Sequence, residues 1–263
     1  MSRLLIFGLG YAASRIAAAL EARGWHIEAT GSVGTLAFAD EAAVVAALGR
    51  ASHVLSSVPP GDGGDPVLAR YGDQLEGKWL GYLSSTGVYG DTGGAWVDEG
   101  APVGGGRRNE RTEADARWLA MGARVFRLPG IYGPGRSPLD RLREGKAHRI
   151  DLPKNQPSQV FSRVHVEDIA GGVVAALDAD VPPGAYNLAD DEPASQNRVI
   201  EHAARLVGVP PPPLQTIDEA NLGPMARGFY AENRRVANGK LKRTAGWSPR
   251  YPSYREGLAS LTG

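Results

Sequence analysis

The sequence predicts an α/β protein, a doubly wound and mostly parallel sheet with a smaller C-terminal lobe. Three observations predict it. Short apolar runs alternate with amphipathic segments from residue 3 onward. The first run ends in a glycine-rich turn that opens straight into a helix. Glycine or proline punctuates nearly every junction. The chain has 263 residues, 42% of them hydrophobic, enough for one large domain or a domain with a companion lobe.

In chain order, residues 3–7 read as a buried strand and residues 12–23 as an Ala-rich helix that Gly24 ends. Residues 25–30 read as a second strand, 42–48 as a helix, and 53–56 as a third strand closed by Pro59-Pro60-Gly61. A helix over 66–75 and a strand over 79–84 follow. Residues 90–106 are a glycine-rich loop, 112–121 a helix, 124–128 a strand and 129–138 a turn-rich loop. Beyond that, helices are expected at 167–179, 195–207 and 254–261, with short strands at 149–152, 160–164 and 185–188. The expected division is residues 1–135 as the main domain and 136–263 as the smaller lobe, with segments near 160–190 returning to the main sheet.

Composition excludes several function classes. Lys+Arg and Asp+Glu both number 29, so no basic field argues for nucleic acid or membrane surfaces. No apolar stretch approaches the roughly 20 residues that span a bilayer. The chain has no cysteine, which removes disulfides, thiolate catalysis and Cys-ligated zinc and suits a reducing, cytoplasmic compartment. Its five histidines are scattered, so no metal site is expected.

The sharpest motif is Gly8-Leu9-Gly10-Tyr11-Ala12-Ala13, a G-x-G-x-x-A turn between the first strand and first helix. Gly8 permits the tight turn, Gly10 lets a pyrophosphate approach the backbone, and Ala13 lets helix and strand pack closely. The helix N-terminus then offers unpaired N–H groups to phosphate. This is the fingerprint of Rossmann-type NAD(P) binding. An acidic residue that would bind a ribose 2′-hydroxyl is expected at the end of the second strand. That strand instead closes with Thr30-Gly31-Ser32, which favours NADP modestly over NAD.

From Tyr82-Leu83-Ser84-Ser85-Thr86-Gly87-Val88-Tyr89-Gly90-Asp91 onward the chain resembles the extended short-chain dehydrogenase/reductases, the family of NAD-dependent nucleotide-sugar epimerases and dehydratases. Residues 127–136 (RLPGIYGPGR), 164–170 (VHVEDIA), Tyr186-Asn187-Leu188 and Gly246-Trp247-Ser248-Pro249 continue the resemblance in the family's order. The resemblance implies that Ser85 is the catalytic serine, with Thr86 as a further hydroxyl near the reacting centre and Tyr89 either a displaced proton donor or a tyrosine packed beneath the loop. It places Ser56, Ser57, Pro59, Ser84, Arg111 and Pro129 beside the dinucleotide. The family's Tyr-x-x-x-Lys acid/base pair has no counterpart. The sequence holds no tyrosine between Tyr89 and Tyr132 and no lysine between Lys78 and Lys146. Arg107 and Arg111 have the spacing of the missing pair, but a guanidinium with a pKa above about 12 binds anions without exchanging protons.

Arg136, Arg163 and Arg227 are the candidate substrate-binding residues. The family's diphosphate-holding arginine falls at Phe161, and Arg163 lies two residues on, on the same strand face. The expected partner is a small, anionic substrate, and a homodimer is compatible with the sequence. The expected function is an NAD(P)-binding, epimerase/dehydratase-like oxidoreductase. The alternative is a non-catalytic NAD(P)-binding redox sensor or regulatory protein.

Overall fold

The computed structural model describes residues 2–106, 109–152 and 159–262. Its centre is one six-stranded, all-parallel sheet. The elements run β1 (Arg3–Phe7), α1 (Tyr11–Glu21), β2 (His26–Ala29), α2 (Glu41–Arg50), β3 (His53–Ser56), α3 (Pro66–Tyr71), β4 (Trp79–Ser85), β5 (Trp96–Val97), α4 (Asn109–Ala120) and β6 (Arg124–Leu128). Then follow β7 (Gly130–Tyr132), α5 (Pro138–Arg143), β8 (Arg149–Ile150), β9 (Arg163–His165), α6 (Val166–Asp178) and β10 (Gly184–Asn187). The chain ends with α7 (Gln196–Leu206), β11 (Leu214–Gln215), α8 (Pro224–Tyr230), β12 (Arg235–Val236), α9 (Gly239–Ala245) and α10 (Tyr254–Ala259). The sheet order is β10-β6-β4-β3-β1-β2, so the chain reverses direction across the sheet between β1 and β3. That reversal opens a crevice at the carboxyl ends of the strands, where ligands of open α/β sheets bind.

The central strands are buried on both faces, which is why they read as continuous apolar runs. Along β1, Leu4 and Ile6 pack with α1 and α6, while Leu5 and Phe7 pack with α2 and α3. Small residues let α1 lie close: Ala13 and Ala17 are buried against the same layer as Ile16 and Leu20. A third apolar cluster joins α5, α7 and α10 through Leu139, Val199 and Leu258. Capping boxes at Ser137/Asp140 and Ser253/Glu256 fix where α5 and α10 begin.

The fold class and every strand of the central sheet match the sequence expectation. The differences are local. The helix expected over 66–75 stops at Tyr71 and tightens into a 3₁₀ turn at Gly72–Gln74. The turn-rich loop at 129–138 contains β7 and leads into α5, which the dense Gly and Pro content hides. The short strands β5, β8, β11 and β12 pair only with each other in two-stranded parallel ladders; β8 falls within the strand expected over 149–152, while β5, β11 and β12 are too brief to leave a period in the sequence. No helix among the described residues is long and apolar enough to cross a membrane.

Candidate active site

The β1–α1 turn has the geometry that a dinucleotide loop requires. Gly8 sits at φ +84°, and a Cβ there would stand 3.0 Å from Val58 Cγ2, so glycine is required twice over. The Gly8 N–H donates to Thr30 Oγ1 at 3.1 Å, the Leu9 N–H donates to the Thr30 carbonyl at 2.7 Å, and the Ser57 hydroxyl donates to the Gly8 carbonyl. The turn is thus latched from β2 on one side and β3 on the other. Above Gly10 there is open space: a Cβ would meet nothing within 4 Å. Gly10 caps α1 with no side-chain hydrogen bond, and the first turn of α1 carries no acidic residue. Unpaired N–H groups at the positive end of an eleven-residue helix, under an open glycine, fit the pyrophosphate of a nicotinamide dinucleotide.

The expected dinucleotide contacts divide. Gly8, Leu9, Gly10, Tyr11 and Ala13 form the loop and its helix start. Ser57 braces the loop, while Pro59 and Ser32 are exposed at its rim. Two hydroxyls have other work and a third is enclosed. Thr30 is 1% exposed and spends its Oγ1 on Gly8. Ser56 is wholly buried in β3, between Phe7 and Tyr82, with its hydroxyl unpartnered. Ser84 is buried and donates to Asp115 Oδ2 at 2.6 Å. Of the two residues behind the NADP preference, only Ser32 therefore remains available to the cofactor.

Beside the loop lies a cleft of about 910 Å³ between the sheet and the C-terminal segments. Tyr11 and Arg136 connect the two. The Tyr11 hydroxyl donates to the Pro134 carbonyl at 3.0 Å, and the Arg136 guanidinium, itself lining the cleft, lies 5.6 Å from the Tyr11 ring. Ser85, Thr86, Arg111 and Pro129 line the near end of the cleft. Ser85 ends β4, and its hydroxyl oxygen accepts the Gly87 N–H at 3.1 Å. Its proton is left to be donated. Arg111 projects from α4 to the same wall and lies beside the buried Tyr82 phenol, whose pKa burial pushes up to about 12. Arg107 lies outside the described residues.

Tyr89, expected near the reacting centre, belongs to a buried network below it. Its hydroxyl donates to Asn187 Oδ1 at 2.8 Å and accepts from Arg127 Nη1 at 3.1 Å. Arg127 is 3% exposed and holds Asp115 in a two-pronged ion pair at 2.7 and 3.1 Å. Burial raises the Tyr89 pKa, and only Arg127 and Asn187 pull against that shift. The hydroxyl is thus held within the buried network, and Tyr89 is not on the cleft lining.

The three arginines expected to bind substrate divide as well. Arg136 lines the cleft. Arg163 touches it but is 7% exposed and turned inward, donating to the carbonyls of Phe161 and Ala194, each at 2.8 Å, and to Gln196 Oε1 at 2.9 Å. Arg227 is absent from the cleft. It points outward from α8 and pairs with Asp218 at 2.9 Å. A cation that sequence reasoning missed is Arg141, which α5 presents to the cleft. The Ser137 capping box two residues after Gly135 was the available signal for that helix. His165, 1% exposed, caps α6 by accepting the Glu167 N–H. Asp168 accepts the N–H groups of Arg250 and Tyr251 at 2.6 and 3.1 Å, fastening the C-terminal segment. Among the described residues no cluster of His, Asp and Glu is placed to hold a metal ion.

No protein-family model matches the chain. A conserved protein of unknown function from Silicibacter pomeroyi is 43% identical, covers 99% of this chain and 98% of its own, and superposes with a TM-score of 0.86. The chain belongs to that protein's family. Protein YeeZ of Escherichia coli is 27% identical over 270 residues, covering 87% of this chain and 92% of its own. A 3-diazoavenalumate denitrifying reductase from a Streptomyces species is 34% identical over 145 residues, which make up 51% of this chain. The chain matches only about half of that reductase, 45% of its length.

Two more distant structures have the same fold. A dTDP-glucose 4,6-dehydratase from Bacillus anthracis, in complex with NAD, has a TM-score of 0.76 at 16% identity, covering 100% of this chain and 96% of its own. A human epimerase-family protein with NADPH has a TM-score of 0.76 at 16% identity, covering 99% of each chain. The architecture is that of the NAD-dependent epimerases and dehydratases.

Proposed function

We propose that this chain binds NAD(P) across the β1–α1 turn and acts as an oxidoreductase on a small anionic molecule held in the adjoining cleft. The observation that carries this reading is the continuity from the uncapped start of α1, through Tyr11 and Arg136, to a cleft walled by Ser85, Thr86 and Arg111. When bound, a nicotinamide dinucleotide supplies reversible hydride transfer. The chain supplies binding and orientation. Gly8, Gly10 and the first turn of α1 would hold the pyrophosphate. Arg111 would hold the ribose or the substrate from the α4 side as a permanent cation. Ser85, with its oxygen fixed by the Gly87 N–H, would donate a hydrogen bond to a substrate oxygen.

None of these groups readily exchanges a proton near neutral pH. The reading therefore favours a substrate whose turnover takes no proton from this wall, or takes one from water. The half-length likeness to a reductase supports reduction over epimerisation.

Calorimetric titration of the whole chain with NADPH and NADH tests the cofactor claim, and micromolar binding of either is expected. A clear NADPH advantage would support the NADP preference. If neither binds, the reading fails. A second reading, a dinucleotide-binding sensor without turnover, draws on the engagement of Tyr89 and the lack of any tyrosine on α4. Substrate-dependent NADPH consumption that falls at least about tenfold in Ser85→Ala separates the two. Tight binding with no consumption across a substrate panel favours the sensor.

A further inference from the structure

The cleft has an uneven distribution of charge. Arg111, Arg136 and Arg141 line it, and none of them pairs with a carboxylate among the described residues. The acids on the same lining are engaged. Asp140 accepts from the N–H and hydroxyl of Ser137 at 2.9 and 2.7 Å, Glu144 pairs with Lys146 at 2.9 Å, and Glu232 pairs with Arg234 at 2.7 Å. The free field of the cleft is therefore positive.

Another part of the lining is aromatic. Tyr230 meets Phe161 edge-on, with centroids 5.4 Å apart at 84°. Phe229 stands 50% exposed on the same lining, an apolar ring left open to the cleft. Arg141 lines the same cleft as Phe161, Phe229 and Tyr230, and burial raises the Tyr230 pKa with the charges of Arg163 and then Arg141 pulling against it. The arginine best placed for a diphosphate, Arg163, instead has its protons on two carbonyls and Gln196.

We infer that the cleft takes a planar aromatic carboxylate, its ring against Phe161, Phe229 and Tyr230 and its carboxylate on Arg141, rather than a nucleotide-diphosphate sugar. This rests on the reading above that the cleft is the substrate site. An open aromatic wall binds a flat ring through apolar contact and edge-to-face packing. An unpaired guanidinium presents a fork that a carboxylate can accept in two-pronged fashion.

The test titrates the whole chain with cinnamate, cinnamyl alcohol and UDP, each with and without saturating NADPH. Cinnamate is expected to bind at least about tenfold more tightly than the alcohol, whose ring and reach are similar but which lacks the charge. Arg141→Gln is expected to remove that difference while leaving alcohol binding unchanged, and Phe229→Ala to weaken both ligands. Both positions are exposed or rim-facing, and circular dichroism would check that each variant keeps its fold. UDP binding more tightly than cinnamate, equal binding of cinnamate and the alcohol, or Arg141→Gln without effect would overturn the inference. The cofactor reading fails separately. NADPH binding without cinnamate discrimination sinks only this inference, and cinnamate discrimination without dinucleotide binding sinks only the cofactor claim.

Discussion

Arginine serves two opposite purposes on the two sides of the Ser85 turn. Beneath it, Arg127 is 3% exposed and grips Asp115 while donating to Tyr89, so its charge is neutralised inside the protein. Around the cleft, Arg111, Arg136 and Arg141 pair with no carboxylate among the described residues, so their charge stays available to a ligand. The difference teaches how to rank candidate residues in this fold. The buried and heavily hydrogen-bonded groups Arg127 and Tyr89 serve the scaffold. The more exposed arginines line the cleft proposed to hold a ligand.

The largest test of that contrast removes the buried cation. Arg127→Met leaves Asp115 charged and buried with only Ser84 to satisfy it, and is expected to cost about 3–5 kcal/mol in urea unfolding. A cost under about 1 kcal/mol would mean that Arg127 is no more a scaffold residue than the cleft arginines.

The next test is pH. Burial depresses the His165 pKa to about 4, so between pH 6.5 and 4 the unfolded chain takes up a proton that the folded chain refuses. Stability is then expected to fall by about 3 kcal/mol on acidification through that window. Asp190 acts in the opposite sense. Burial raises its pKa to about 8 despite the attraction of Arg163, so the folded chain holds the proton that the unfolded chain releases. Stability from Asp190 is lost as pH rises from its unfolded value toward 8. Asp190→Asn should flatten the alkaline side of the stability profile above pH 6.5, where the His165 contribution is already constant. An unchanged slope there would show that Asp190 does not hold its proton.

Tyr89→Phe should cost about 1–2 kcal/mol, since Arg127 Nη1 and Asn187 each lose a partner, while dinucleotide binding and any turnover stay intact. A drop in turnover of a hundredfold without a matching loss of stability would return Tyr89 to the reacting centre. Smallest of all, Arg141→Gln should change stability by less than about 0.5 kcal/mol, because Arg141 is exposed and pairs with no carboxylate among the described residues. A larger loss would mean that the cleft arginines also serve the fold.

The dinucleotide end was legible because its constraints are local. Gly8, Gly10 and Ala13 lie within six residues, and each is needed for a reason visible in the turn itself. The cleft end was legible only in part, because its residues are gathered from separated elements by tertiary packing. Nothing near Arg163 in the sequence says that its guanidinium will turn toward the carbonyls of Phe161 and Ala194. Nothing near Arg127 says that Asp115, on the preceding helix, is its partner. Arg227 and Phe229 stand two residues apart, yet α8 turns Phe229 to the cleft and Arg227 away from it. Arg141 went unnoticed because α5 is only six residues long and sits behind a Gly-Pro-Gly turn.

The pairing of β5 with β12 bears on the order of assembly. The Asp91–Gly94 turn and Arg235 are joined by hydrogen bonds across 141 positions of sequence, and Arg234 reaches the Gly90 carbonyl across 144. Contacts of that span close late, because the loop entropy they cost is repaid only once the intervening chain has folded. During synthesis the β1–α1 turn can be latched by β2 and β3 once residue 57 has emerged. The glycine-rich loop beside the cleft must wait until residue 236 is made. The latches of the β1–α1 turn are therefore complete in sequence far earlier than the contacts that shape the glycine-rich loop.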